Sequence, residues 1–466
     1  MQTIFDITAD LDTPVSAFLK LKPLKPRFLL ESVEGGERLA RYSFIGFGEA
    51  LHFRLTPSEV ICTDLSGQSL NFSAPRNAEE LLNLYRTIMK KAPLPQPLVH
   101  GLPLLGGLVG ATAYDIVRYF EPILKPENLS PATILGQYLA PESFLVFDHV
   151  TRRMALLHSG SDQDRSVLRA EVIKALRSAI PAPKTGSRVG PANQSLGEEE
   201  FKGGVRRIQD SIARGDVYQL VLSSQFTGET DVNPFEVYRA LRLINPSPYM
   251  IYCELGNQVL VGSSPEAMVK LNQGRAELRP IAGTRRRDSN PITDRQLAEE
   301  LLADVKENAE HVMLVDLARN DLGRVAAAGS VMVDPFRIIE RYSHVMHIVS
   351  GVNGILKPGR DCFDLYAATF PAGTLVGAPK VKAMQIIDDL EPVSRGYYGG
   401  TYGYFGAQGD MDQAITIRSL VFEGNRYSYQ AGAGVVADSD PSAEYQEIMA
   451  KSAVLRSALQ LASTGV

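Results

Sequence analysis

The chain has 466 residues, 44% hydrophobic and 22% charged, and its 48 basic and 53 acidic residues leave a net charge of −5. That balance gives no footprint for nucleic acid or an anionic membrane, so the composition is that of an ordinary soluble globular protein of more than one domain. Three cysteines (Cys62, Cys253, Cys362) lie far apart without a Cys-x-x-Cys pair, pointing to neither a disulfide framework nor a zinc site.

The opening MQTIFDITADLD is acidic and lacks a basic n-region, so it does not read as a signal peptide and a cytoplasmic protein is expected. FLLESV (28–33), YSFIGFG (42–48) and LHFRLT (51–56) read as short strands of a meander. Asn77 to Ala92 reads as an amphipathic helix with Leu81, Tyr85 and Ile88 on one face. The uncharged stretch from Ala92 to Tyr114 is broken by proline and glycine and contains His100, which makes a poor membrane span. Pro, Gly and Ser then gather before Gln194, predicting a linker over 181–194 between an N-terminal region (1–180) and a C-terminal one (195–466). Ser195 with Glu198 predicts a capping box. Phe201, Val205, Ile208 and Ile212 form a helical stripe that Gly215 ends, and 217–226 reads as a strand. A further helix is expected from Thr293, capped with Gln296 and carrying Leu297, Leu301 and Val305 inward. Short strands with Gly-rich turns alternate with a few long helices, without regular βαβ repetition. The fold class is therefore α+β with large antiparallel sheets.

Candidate chemistry concentrates toward the C-terminus. Glu307 and Glu310 are three apart on a predicted helix, as are Glu444 and Glu447, with Lys451 four further on; residues so spaced share a helix face. Two such acidic edges facing each other would suit Mg2+, which takes hard oxygen ligands, although spacing alone equally describes solvated surface. His344 and His347 are three apart too, and leave open a metal pair or a core histidine. Gly432 and Gly434 would let backbone N–H groups approach an anion, or would simply make a tight turn. The run from Gly432 to Ala437 also matches a dinucleotide-binding GxGxxG/A pattern. The helix that should follow is broken by Asp438, Ser439, Asp440 and Pro441, which argues against it.

Six strings in fixed order tie these residues together: PIAGTR (280–285), AEHVMLVDLARND (309–321), RYSHVMHIVS (341–350), FPAGTLVGAPK (370–380), AITIRS (414–419), and QAGAGVVADS followed by EYQEIMAK (430–451). In combination the chain resembles the chorismate-utilising enzymes, most closely the large subunits of anthranilate synthase, densely after Ser195 and more thinly before it. The resemblance implies two large antiparallel sheets packed together with helices outside. It implies Mg2+-dependent amination of chorismate at C2 by ammonia, then elimination of pyruvate to give anthranilate, the first committed step toward tryptophan. By the same resemblance Glu310 and Glu447 bind Mg2+, which grips the substrate's ring carboxylate, Glu307 and Glu444 support the metal through water, and Lys451 lies near that carboxylate. His347, not His344, acts at the departing hydroxyl, where a ring with pKa near ~6.5 suits proton transfer. Arg418 pairs with the enolpyruvyl carboxylate through a two-pronged contact, with Tyr404 at the same end. Thr284, Thr374, Gly432, Ala433 and Gly434 complete the expected substrate contacts.

Two positions bear on which reaction is run. Gln219 stands where water-adding relatives carry a lysine base, and Ala282 where 4-aminating relatives carry a lysine nucleophile. Neither residue can do that work, so both favour attack by ammonia at C2. An enzyme that stops at 2-amino-2-deoxyisochorismate is the alternative, with aminodeoxychorismate synthase more remote. No Gly-x-Cys-x-Gly glutaminase elbow surrounds any cysteine. The chain is thus expected to use free ammonia alone, or glutamine through a separate amidotransferase subunit in a hetero-oligomer. In the family, LLES (29–32) and NPSPYM (245–250) meet to bind tryptophan as feedback inhibitor, which implicates Leu30, Glu31, Ser32, Asn245, Pro246, Pro248, Tyr249 and Met250. Val376, Ser224 and Gln225 depart from the usual pattern without removing an assigned catalytic residue.

Overall fold

The computed structural model describes residues 4–33, 41–99, 101–121, 124, 129–181, 186–342 and 345–466. His100, His344 and residues 182–185 of the expected linker lie outside these. Among the described residues, 21 strands join in one antiparallel hydrogen-bonded network and three more form a small separate sheet, with helices around them. No described helix is long and apolar enough to cross a membrane.

YSFIGFG and LHFRLT, expected as two strands, are one strand, Tyr42–Leu55, paired along its length with Gly136–Asp148. A bulge between Phe47 and Ala50 absorbs the interruption: Gly48 takes φ +87°, and the Glu49 N–H donates to Glu142. Pro26–Glu31 lies between Tyr42–Leu55 and Tyr249–Leu255. Gly107–Thr112 lies between Gly136–Asp148 and Thr401–Gly406. Strands from before and after residues 181–194 are therefore neighbours in the sheet at two places.

The helices follow their caps. Asn77 caps Ala78–Met89, which buries Leu81, Leu84, Tyr85 and Ile88. The expected Ser195–Glu198 box does not form. Ser195 is held by the sheet, its hydroxyl accepting from the Gln225 N–H at 2.9 Å. Helix Glu198–Ala213 instead starts from Gly197, whose N–H donates to Glu200 at 2.8 Å. The helix expected from Thr293 is also corrected. Asn290 caps Pro291–Ala303, and Asp304 then adopts an extended conformation and caps a second helix, Val305–Gly323. That break leaves Val305 83% exposed rather than inward. The final helix, Pro441–Thr464, starts from Asp440 and buries Tyr445, Ile448, Leu455 and Leu459. It packs over strand Arg426–Val435 and against helix Pro234–Ile244. Four residues therefore separate the end of the strand at Val435 from Asp440, which is not the immediate strand-to-helix turn a dinucleotide loop needs.

Candidate active site

One cavity gathers much of the predicted set. Its walls include Val221, Glu266, Thr374, Tyr398, Arg418, Gln430, Gly432, Gly434 and Lys451. Val221, Gln430, Gly432 and Gly434 lie on the paired strands Gln219–Glu229 and Arg426–Val435. Glu266, Tyr398 and Arg418 lie in the links beside strands, Thr374 lies in the turn Gly373–Leu375, and Lys451 reaches in from the last helix. Arg418 sits at φ +49°, a strained conformation for a non-glycine residue, and its carbonyl accepts from the Ser263 N–H at 3.2 Å. Lys451 donates to the Gly432 carbonyl at 2.9 Å and pairs with Glu447 at 2.6 Å. Close approach favours glycine at both positions, most strictly at 432. A Cβ at Gly432 would fall 2.6 Å from the Tyr398 hydroxyl, and one at Gly434 3.0 Å from the Gln219 amide nitrogen. Ala433 does not join them. Side chains alternate across a strand, so it faces the core and is 1% exposed.

The acidic edge adjoins this cavity. Gln219 Nε2 lies 3.5 Å from Glu310 Oε1. Burial, then the neighbouring charge of Glu307, raise the Glu310 carboxyl above the usual carboxylate range, and Glu447 adds to the effect. Glu444 is raised by burial and by Glu447, against a hydrogen bond from Ser439. Two helices thus bring four carboxylates within electrostatic reach of one another. Glu307 is partly compensated by Arg285, 3.4 Å away, which also holds Asp304 at 2.9 Å. Among the described residues no group of three or more His, Cys, Asp or Glu side chains converges tightly enough to hold a metal alone. Hard oxygen donors split between two helices fit an ion that keeps several waters and shares substrate oxygens, which is how Mg2+ is usually held.

Glu266 was missed by sequence reasoning. It is half-buried, and burial lifts its carboxyl to a pKa of about 7, against Thr374, Arg418 and Lys451, which pull it down. The Thr374 hydroxyl donates to it at 2.9 Å. The available signal was a lone acid inside an otherwise uncharged run, VLVGSSPEAMV. Tyr398, in the string GYYGG, was missed too.

Thr284 and His347 are cross-strand partners on the small sheet and do not line the cavity. His347 Nδ1 is 3.1 Å from Thr284 Oγ1 and 2.9 Å from the Gly283 carbonyl. A carbonyl only accepts, so in this arrangement Nδ1 carries the proton. A Cβ at Gly283 would lie 3.2 Å from Glu307 Oε2, so this sheet abuts the acidic edge.

Tyr404 is a correction: it lines a different cavity, of about 350 Å³. There it meets Leu30, Glu31, Ser32, Pro248, Tyr249 and Met250, with Arg41, Lys270, Tyr402 and Asp412 also in the wall. Strand pairing brings the two strings together, with Met250 opposite Glu31. Glu31 is tied to Arg242 at 3.0 Å and to Tyr238. Asn245 and Pro246 do not line this cavity; Asn245 Nδ2 instead donates to Ser263 Oγ at 3.1 Å. Of the departures, Val376 is fully buried behind the first cavity, and the Ser224 hydroxyl accepts from the Leu196 N–H at 3.1 Å.

A family profile described as "chorismate binding enzyme" matches residues 25–457. Anthranilate synthase component 1 of Thermus thermophilus is 43% identical over 98% of this chain and 97% of its own length. The crystal structure of anthranilate synthase component I from Streptococcus pneumoniae superposes with a TM-score of 0.78 at 32% identity, over 96% of this chain and 98% of that one. The menaquinone-specific isochorismate synthase of Escherichia coli shares the fold, with a TM-score of 0.70 at 21% identity over 97% of this chain and 92% of that one.

Proposed function

This chain belongs to the chorismate-binding enzymes and, within them, to the anthranilate synthase component 1 family, and on that premise we propose that its cleft aminates chorismate at C2 and then releases pyruvate to give anthranilate. The observation that carries this reading is the charge pattern around one cavity. Arg418 and Lys451 supply cations, Gly432 and Gly434 supply bare backbone, and Glu310 and Glu447 adjoin them. A dicarboxylate substrate needs two anion grips. Arg418 would take the enolpyruvyl carboxylate through its planar fork. Lys451 would take the ring carboxylate, beside an Mg2+ held by Glu310 and Glu447 with Glu307 and Glu444 behind. When bound, Mg2+ supplies the positive charge that lets a carboxylate approach this acidic edge.

Gln219 has no basic group, so it can orient a nucleophile but cannot deprotonate water. That favours ammonia, whose lone pair forms the C–N bond as the hydroxyl departs. The departing hydroxyl needs a proton. Glu266, steered by Thr374, is the acid the cavity itself offers, and the His347 ring in its doubly protonated form is the other candidate. In the second step the bond to the enolpyruvyl oxygen breaks, C2 loses its proton, and pyruvate leaves as the ring becomes aromatic.

The three cysteines are buried, and burial pushes their thiols up, Cys62 to about 11 and Cys362 to about 12. None is suited to be a glutaminase nucleophile. Ammonia from glutamine would therefore come from a separate amidotransferase component. The second cavity, with aromatic walls and charges of both signs, suits tryptophan as a feedback inhibitor.

The test is a product assay with chorismate, Mg2+ and ammonium at alkaline pH, following anthranilate fluorescence and pyruvate, with and without tryptophan. Anthranilate and pyruvate equal to the chorismate consumed are expected. Chorismate loss without pyruvate would instead identify an enzyme that stops at the aminated intermediate.

A further inference from the structure

We infer that the buried Glu391–Arg395 pair is a positioning element that fixes the walls of the substrate cavity; this rests on reading that cavity as the chorismate site. The two side chains are 4% and 1% exposed and lie 2.7 Å apart. Neither lines the cavity, yet each is bonded to what does. Arg395 donates to the carbonyl of Leu375 at 2.7 Å and to that of Val221 at 2.9 Å. Its guanidinium carbon stands 5.7 Å from the centre of the Tyr398 ring and 4.8 Å from that of Tyr114. Glu391 accepts from the Ser223 N–H at 2.9 Å and from the Ser223 hydroxyl at 2.6 Å. That hydroxyl accepts in turn from Gln430 at 2.8 Å.

Val221, Leu375, Tyr398 and Gln430 are four walls of one cavity, contributed by four separate segments. The pair is their common support. A guanidinium has five donors in a rigid plane, and here that plane fixes a strand, a turn and a tyrosine relative to one another. The tyrosine matters because its hydroxyl sits where any side chain at position 432 would have to be, against backbone that Lys451 also touches. Tilting that ring would move the anion-binding end of the cavity.

Taking two charges out of water is costly, and such pairs can often be replaced by apolar residues without loss of stability. A merely structural pair would therefore tolerate Glu391→Met with Arg395→Met. The test compares the wild type, this double variant and Arg395→Lys, measuring KM and kcat for chorismate with Mg2+ and ammonium beside the thermal unfolding midpoint. The double variant is expected to unfold near the wild-type temperature while KM rises about ten- to a hundredfold and kcat falls less. Arg395→Lys, which keeps the charge but loses the planar fork, should raise KM by an intermediate amount. Wild-type KM in the folded double variant would overturn the proposal. If that variant fails to fold, Arg395→Lys decides: a wild-type KM at an unchanged midpoint overturns it equally. A wild type that consumes no chorismate would instead overturn the reading of the cavity, and the positioning role with it.

Discussion

Glu266 is the residue whose protonation state most directly constrains the chemistry. Its pKa of about 7 is raised, so the neutral acid persists up to that pH and is lost as pH rises through it. If it protonates the departing hydroxyl, kcat/KM calculated on free ammonia should fall above about pH 7, tenfold per unit. Glu266→Gln should lower turnover by about 10²–10⁴-fold and abolish that limb. A limb that survives the substitution while disappearing in His347→Ala would assign the proton to His347. The carboxylates make a different prediction. Glu310→Gln or Glu447→Gln should remove Mg2+-dependent turnover while leaving the unfolding midpoint near wild type, because both side chains are only partly buried or exposed. Isothermal titration with Mg2+ plus chorismate checks it; undiminished binding would remove that glutamate from the site. The helical spacing of these glutamates was visible in the sequence because a helix repeats locally. Glu266 and Tyr398 were not, because burial and cavity exposure depend on which distant segments cover them. The Ala433 side chain shows how a strand divides one string between two faces: it packs in the core while Gly432 and Gly434 face the cavity.

Between the two cavities runs a short segment, Ser263 to Glu266, bonded on both sides. The Ser263 N–H donates to the Arg418 carbonyl at 3.2 Å, and the Ser263 hydroxyl accepts from Asn245 Nδ2 at 3.1 Å. The Ser264 N–H donates to the Tyr402 hydroxyl at 2.8 Å, which donates onward to the Tyr249 carbonyl at 2.7 Å. One strand end thus touches the wall of the second cavity and the arginine in the wall of the first. Ser32→Ala should weaken tryptophan binding and spare activity. Ser263→Ala should leave binding intact but reduce the rise in chorismate KM that tryptophan causes, a coupling of typically about 5–150-fold. The chain contains no tryptophan, so the ligand's own fluorescence reports its binding without background. Unchanged coupling in Ser263→Ala would exclude this route. At this scale the sequence reading succeeded where an apolar stripe was local, as with Leu81, Tyr85 and Ile88 on the helix Ala78–Met89. It failed where a tertiary bond claimed the capping residue, as at Ser195, or where an aspartate split one apolar stripe into two helices, as at Asp304.

Across the whole molecule the decisive feature is that the strands before and after residues 181–194 share ladders. Local alternation predicts strands but carries no record of which strand lies beside which; the meeting of LLES with NPSPYM was legible only through resemblance to a family. The pairing has a physical consequence. Without residues 1–180, Tyr249–Leu255 would lose Pro26–Glu31 from one edge, and Thr401–Gly406 would lose Gly107–Thr112. Each exposed edge would present a row of unpaired N–H and C=O groups in a largely apolar strand, a surface that templates aggregation. Phe28 and Leu29 are fully buried in the intact chain, and burying one such side chain is worth about 1.5–3 kcal/mol. Residues 195–466 produced alone should therefore be aggregated or devoid of cooperative unfolding. The intact chain should unfold in one transition, with far-ultraviolet circular dichroism and tryptophan binding lost together. A soluble, cooperatively folding 195–466 that still turns over chorismate would show that the shared ladders contribute little, and that the catalytic cavity is complete without the strands that thread through it.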